Sequence, residues 1–252
     1  MPADEQRRFG GLARLYGLSG AKAISQAHVA VIGIGGVGSW AAEALARSGV
    51  ARLTLIDMDH VSESNINRQI HASDATLGMA KVQAMGERIH SFHPTCDVRG
   101  IDDFVTAENW PAILPAGVDA VIDACDQVAA KTGIGAWART SGSLFIAVGA
   151  AGGKRHAHAV DIADLGAVTH DPLLAQVRYR LRKHHGAPRE GKPLGVACVF
   201  SREPVRAPDP ACGVEGDGSL NCHGYGSVVS VTATFGQCAA GWVLDQISAH
   251  AA

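Results

Sequence analysis

Gly33, Gly35, Gly36 and Gly38 crowd into six residues, directly after the apolar run 28–32 and just before Ser39-Trp-Ala-Ala-Glu-Ala-Leu-Ala-Arg47. Backbone amides can approach anionic oxygens only where no Cβ stands between them, and a helix starting there turns its positive end toward the anion. The chemistry is phosphate binding, used alike by NAD, FAD, S-adenosylmethionine and ATP sites; a bare strand-to-helix turn is the alternative. Asp57 closes the next apolar run, where a carboxylate can accept both ribose hydroxyls. NAD would be served equally well, but it does not explain Asp59. Residues 57–71 then read DMDHVSESNINRQIH, a polar loop holding Asn65, Asn67, Arg68 and Gln69. A dehydrogenase has no need of an arginine and amides there, whereas a triphosphate site does. Arg68 can fork onto a phosphate, and Asn65 can fix either the loop or a phosphate oxygen. Lys81 lies a loop and a helix start further on. It reads equally as a point charge for the same phosphates or as a solvated helix lysine.

The elements that must position these residues follow from hydrophobic period. Residues 28–33 form a buried parallel strand, 39–49 a helix with a glycine stop, and 52–57 a second strand. Strand, glycine turn, helix, strand and acidic residue make a complete βαβ nucleotide-binding unit. Residues 79–92 repeat apolar Val82, Met85 and Ile89 at helical spacing. A strand is expected over 118–125, a helix over 127–140 despite Gly133 and Gly135, and a strand over 143–149. Beyond them, 158–164 is strand-like, 173–185 a basic helix, 186–221 loop-rich, and 228–248 a helix of small residues. The fold class is therefore α/β: a Rossmann-like, mostly parallel sheet with helices on both faces and a smaller C-terminal lobe. The expected division is a helical arm over 1–27, a nucleotide-binding domain over 28–150 and a lobe over 151–252.

Composition narrows the function. With 252 residues, 47% of them hydrophobic, the chain can bury one full core. A formal net charge of -2 provides no global basic field, so any RNA contact must be local. None of the six cysteines is spaced C-x-x-C, which removes a zinc knuckle, and they are scattered as reduced thiols are. The first residues hold no apolar segment for export, and a cytoplasmic location is expected. Residues 218–244 carry no Asp, Glu, Lys or Arg, but basic flanking anchors are missing, and their polar and glycine content reads as a buried or interface helix behind a glycine-rich loop rather than a membrane span.

GIGGVG, DMDHVSESNINRQ, GMAK and DACD, in this order, resemble the ubiquitin-activating-like adenylyltransferases, the family of MoeB, ThiF and HesA. The resemblance implies an enzyme that adenylates a carboxylate with ATP and Mg²⁺. It implies a ribose contact at Asp57, triphosphate contacts and catalysis by Arg68 and Lys81, and an Mg²⁺-holding, catalytic carboxylate at Asp126. The plain reading of Asp126 is a helix N-cap. Segments 8–17, 33–49, 55–61 and 195–201 resemble the branch that dehydrates the threonylcarbamoyl group on adenosine beside the tRNA anticodon. That branch implies tRNA carrying threonylcarbamoyladenosine as partner, a homodimer, and a sulfur-transfer or cysteine-desulfurase partner.

The rival within the family is activation of a ubiquitin-like sulfur-carrier's C-terminus. Relatives of that kind carry two C-x-x-C pairs, absent here. They also carry an R-x-x-R pair that reaches the partner subunit's site; Arg8 and Arg14 are the arginines here. An NAD oxidoreductase is opposed by the NINRQ loop and Lys81, and a non-catalytic scaffold by the intact Asp57, Arg68, Lys81 and Asp126. Cys222, before the last helix, could attack an acyl adenylate, but a small buried residue is the favoured reading. Residues 178–192 hold six Lys or Arg against one Glu. Alone they read as a solvated helix face. With the resemblance, Arg178, Arg180, Arg182, Lys183 and Lys192 become RNA contacts, with Tyr179 as a stacking ring.

Overall fold

In the computed structural model, residues 4–189, 191–209, 211 and 225–251 are described. Two helices, α1 (Glu5–Phe9) and α2 (Leu12–Gln26), form the N-terminal arm. Then β1 (His28–Ile32), α3 (Gly38–Arg47) and β2 (Arg52–Ile56) alternate, followed by α4 (Lys81–Phe92) and β3 (Asp97–Ile101). The chain continues with β4 (Ala120–Asp123), α5 (Val128–Ser141), β5 (Leu144–Val148), β6 (Val160–Asp164), α6 (Pro172–His184), β7 (Ala197–Ser201) and α7 (Val229–Ala249).

The strands make one seven-stranded sheet in the order β3-β2-β1-β4-β5-β7-β6. All neighbours are parallel except β6, which runs antiparallel to β7. Successive crossovers lead outward from β1 to β3 and then reverse from β4, so a crevice opens at the carboxyl ends of β1 and β4. Every residue of β1 is buried, because helices cover both faces. Val29 and Val31 join the core beneath α3, α4 and α7, while Ala30 and Ile32 join the core beneath α5 and α6.

The expected parallel α/β alternation is present. Two strands fall outside the expected elements. β3 is a partly exposed edge strand with no apolar run. β7 lies inside the stretch read as loop-rich, which is corrected here: Ala-Cys-Val-Phe-Ser is buried between β5 and β6. The expected boundary at residue 150 falls between two strands of this single sheet. The uncharged C-terminal run supplies α7, which packs on α3 and α2. Among the described residues no helix is long and apolar enough to cross a membrane.

Candidate functional site

The glycine loop turns at the carboxyl end of β1. Gly33 has φ 82°, and a Cβ there would stand 2.9 Å from both Ala124 O and Cys125 N. Gly38 lies over Gly33, with only 1.8 Å from its Cβ position to the Gly33 carbonyl oxygen. The Arg68 side chain lies across Gly36, its Cγ 3.1 Å from the Cβ position. Gly35 alone of the four faces open space. Gly33, Gly36 and Gly38 are thus packed too closely to carry a side chain, while the backbone at Gly35 stays open to an approaching anion.

Asp57 is held at the end of β2 by the backbone. Its Oδ2 accepts from Ile34 N at 2.6 Å and its Oδ1 from Asp59 N at 2.8 Å. Burial raises its pKa, and the positive charge of Lys81 opposes that rise. An antiparallel bridge between His60 and Ala80, with Val61 N donating to Met79 O, folds the polar loop back on itself. This brings Lys81, distant in sequence, to 2.6 Å from Asp59 Oδ2 and 3.9 Å from Asp57 Oδ1. Lys81 is only 6% exposed, so it is not a solvated helix lysine. Asp59, which NAD left unexplained, is the partner of that ammonium.

Arg68 is also buried. Its Nη1 donates to Ser64 O at 2.6 Å and to Asn67 Oδ1 at 2.9 Å, and its own carbonyl accepts from Trp40 Nε1 at 2.9 Å. The guanidinium is therefore aimed by the loop and by α3 together. Asn65 Oδ1 accepts from Ser62 N at 3.1 Å and closes a short capped turn, which makes it the residue that shapes the loop. Gln69 is buried, and its Oε1 has no hydrogen-bond partner among the described residues.

Asp126 is exposed in the turn between β4 and α5. The cap of α5 is Gln127, with no side-chain cap bond, so Asp126 is not the helix cap. Among the described residues no three His, Cys, Asp or Glu cluster as a metal site. A single exposed carboxylate beside a phosphate cradle suits a magnesium ion that arrives on a nucleotide, since Mg²⁺ combines one or two carboxylates with phosphates and water.

Other expected residues lie elsewhere. Arg8 and Arg14 are exposed on the N-terminal arm, and Arg8 donates to the Phe92 carbonyl at the end of α4. Cys222 is outside the described residues. Burial pushes the Cys125 and Cys198 thiols up, which disfavours the reactive thiolate in both. On α6, Arg178 Nη1 is engaged with Leu165 O and Val168 O at 3.0 and 2.9 Å. Arg182 Nε bonds Pro188 O at 3.1 Å. Arg180, Lys183 and Lys192 are exposed, and Lys183 Nζ sits 5.5 Å over the Tyr179 ring. One feature had no sequence signal: Lys131 and Asp123, both fully buried, pair at 2.9 Å behind the Asp126 turn.

The chain belongs to the ThiF family, whose model matches residues 9–252. It is 43% identical to the tRNA threonylcarbamoyladenosine dehydratase of Haemophilus influenzae over 96% of this chain and 94% of that one. Solved structures of the Escherichia coli tRNA N6-threonylcarbamoyladenosine dehydratase, one with ATP and one with AMP, match with TM-score 0.89 and 42% identity. Each match covers 100% of this chain and 98% of theirs.

Proposed function

We infer that this chain uses ATP to dehydrate the threonylcarbamoyl group of a modified tRNA adenosine, working in the cytoplasm as a homodimer. The observation that carries this reading is near-full-length identity to relatives of that activity, in a chain whose site gathers Asp57, Arg68 and Lys81 around an open glycine cradle. A carboxylate oxygen of the threonyl group attacks the α-phosphorus, the α–β anhydride bond breaks and pyrophosphate leaves. A nucleophile of the same side chain then attacks the activated carbonyl, loses its proton and displaces AMP, closing a five-membered ring. The net change in the nucleoside is loss of one water.

A carboxylate is already a nucleophile, so the site needs positive charge more than a general base. Gly33 to Gly38 would take the phosphates, Asp57 the ribose, and Arg68 and Lys81 the charge that builds on the leaving group. Both cations are desolvated, where their field is least diluted. Asp126 would hold Mg²⁺, which supplies further neutralisation of the triphosphate when bound. Ring closure from the adenylate needs neither Cys222 nor a sulfur-transfer or cysteine-desulfurase partner. The dimer is supported by Leu15 and Leu18 on the arm, 75% and 84% exposed, which a second copy would cover. The four described cysteines are unpaired, in keeping with a reducing compartment.

The test is to incubate the protein with ATP, Mg²⁺ and tRNA bearing threonylcarbamoyladenosine, digest the RNA and weigh the nucleosides. Loss of one water, dependent on ATP and absent with Asp126→Ala, is expected. AMP formation without change in the nucleoside would return the assignment to a different carboxylate substrate.

A further inference from the structure

The buried pair behind the Asp126 turn bears on how that carboxylate is placed. Lys131 lies in the first turns of α5 and points back to the end of β4. Its Nζ donates to Asp123 Oδ1 at 2.9 Å and to the Asp123 carbonyl at 3.0 Å. Asp123 Oδ1 also accepts from Cys125 N at 3.1 Å. One ammonium thus clasps both the main chain and the side chain of the residue that opens the turn, and it is rooted in the helix that ends it. Ala124 N is pinned separately, donating to Ile32 O at 2.8 Å. The same turn is a wall of the glycine cradle, since Ala124 O and Cys125 N are the atoms a Gly33 Cβ would meet. Because Ala124 stays tied to Ile32 of β1, loss of the clasp would leave that wall of the cradle in place and free Asp126 beyond it.

Stability does not explain the pair. Both side chains are 0% exposed, and the desolvation of two buried charges commonly equals or exceeds their attraction, so an apolar pair of similar volume is often as stable or more so. Burial works against the Lys131 charge, but the attraction of Asp123 and the hydrogen bond that Lys131 donates to it outweigh burial and raise the Lys131 pKa, so the ammonium stays protonated. Burial raises the pKa of Asp171, and the positive charges of Lys154 and Lys131 are among the influences that oppose the rise; its Oδ2 accepts from Ala150 N at 2.9 Å just after β5. The Lys131 ammonium sits at the carboxyl end of β4, on the edge of the sheet that carries the glycine loop.

We propose that Lys131, through Asp123, is a positioning residue for adenylation: it fixes the 124–127 turn so that Asp126 meets the metal–nucleotide complex at the glycine cradle. This rests on the assignment of Asp126 given above.

The test uses Mn²⁺ as a paramagnetic stand-in and measures its affinity for the protein–ATP complex by electron paramagnetic resonance, alongside ATP affinity, AMP formation and thermal melting. Lys131→Met is expected to keep ATP affinity but loosen Mn²⁺ by about tenfold, as removing a supporting group around a ligand does. AMP formation should fall by about 100-fold, the cost of a misplacement near 1 Å. Lys131→Arg, which can still reach both Asp123 oxygens, should recover part of each loss. If Lys131→Met does not melt cooperatively, the charge-free isostere Asp123→Asn/Lys131→Gln is read the same way. Unchanged Mn²⁺ affinity in a folded variant, or failure of both variants to fold, would make the pair purely structural and overturn the proposal. If Asp126→Ala itself leaves Mn²⁺ affinity unchanged, it is the Asp126 assignment that fails, and the positioning role falls with it.

Discussion

His71 shows how a single side chain ties the site to pH. It ends the polar loop, is 3% exposed, and has no hydrogen-bond partner for either ring nitrogen among the described residues. Burial, reinforced by the positive charges of Lys81 and Arg88, lowers its pKa from 6.5 to about 4. The unfolded chain binds a proton near pH 6.5 that the folded ring refuses, so stability is fully present above that pH and is lost as pH falls through 4. A shift of this size amounts to about 3 kcal/mol at most. His71→Leu keeps the volume and removes the titration. Its urea-unfolding free energy should decline less than wild type across that window, and parallel declines would show that the ring is protonated in the fold. His28 and His93, also lowered by burial, account for part of the remaining acid sensitivity.

At the scale of elements, the glycine loop is held in place by α7 against α3. A Cβ at Gly236 of α7 would stand 2.5 Å from Val37 O and 2.8 Å from Ala41 N, both backbone atoms that cannot swing away. Helix propensity favours alanine over glycine by about 1 kcal/mol. Overpacking against backbone costs about 1–3 kcal/mol, and the rigidity of both partners puts this site at the upper end. Gly236→Ala is therefore expected to lower the urea midpoint and to weaken ATP binding, because α3 begins in the cradle. Gly241, on the same helix, has nothing within 4 Å of its Cβ position. Gly241→Ala should hold or raise the midpoint. Equal responses at the two positions would show that α7 packs loosely.

The whole molecule separates its two expected surfaces. Asp171 at the start of α6 bonds to Ala150 after β5, on the edge that carries the cradle. Past the other end of α6, Arg139 donates to His185 O and Leu194 O, close to where Asp164 pairs with Ala197 at the start of β7. The basic end of α6 and Lys192 thus lie at the opposite edge of the sheet. A helix of this length spans about 20 Å. With a net charge of -2, RNA held there would be gripped locally, away from the reacting base. Arg178 and Arg182 already bond backbone carbonyls, so Arg180, Lys183 and Lys192 are the exposed cations to reverse. Changing these three to Glu should weaken tRNA binding and flatten its salt dependence, with ATP binding unaltered. The log–log slope should fall by about one unit for each phosphate no longer neutralised. Equal slopes for wild type and variant would make this end of α6 a solvated face.

Local sequence was enough for the parts of this protein whose physics is local. The cradle, Asp57, the NINRQ loop and the first βαβ unit lie in one short stretch, where glycine spacing, hydrophobic period and turn residues act on near neighbours. The family motifs extended that reading to Lys81 and Asp126, without saying what surrounds them. Tertiary structure alone decided that Lys81 is buried against Asp59, because a backbone bridge between His60 and Ala80 brings the two together. It alone made a strand of Ala197–Ser201, whose hydrogen bonds come from β5 and β6. It alone matched Lys131 with Asp123: a lysine in a helix reads as solvated until packing against the sheet removes the water and leaves one carboxylate within reach.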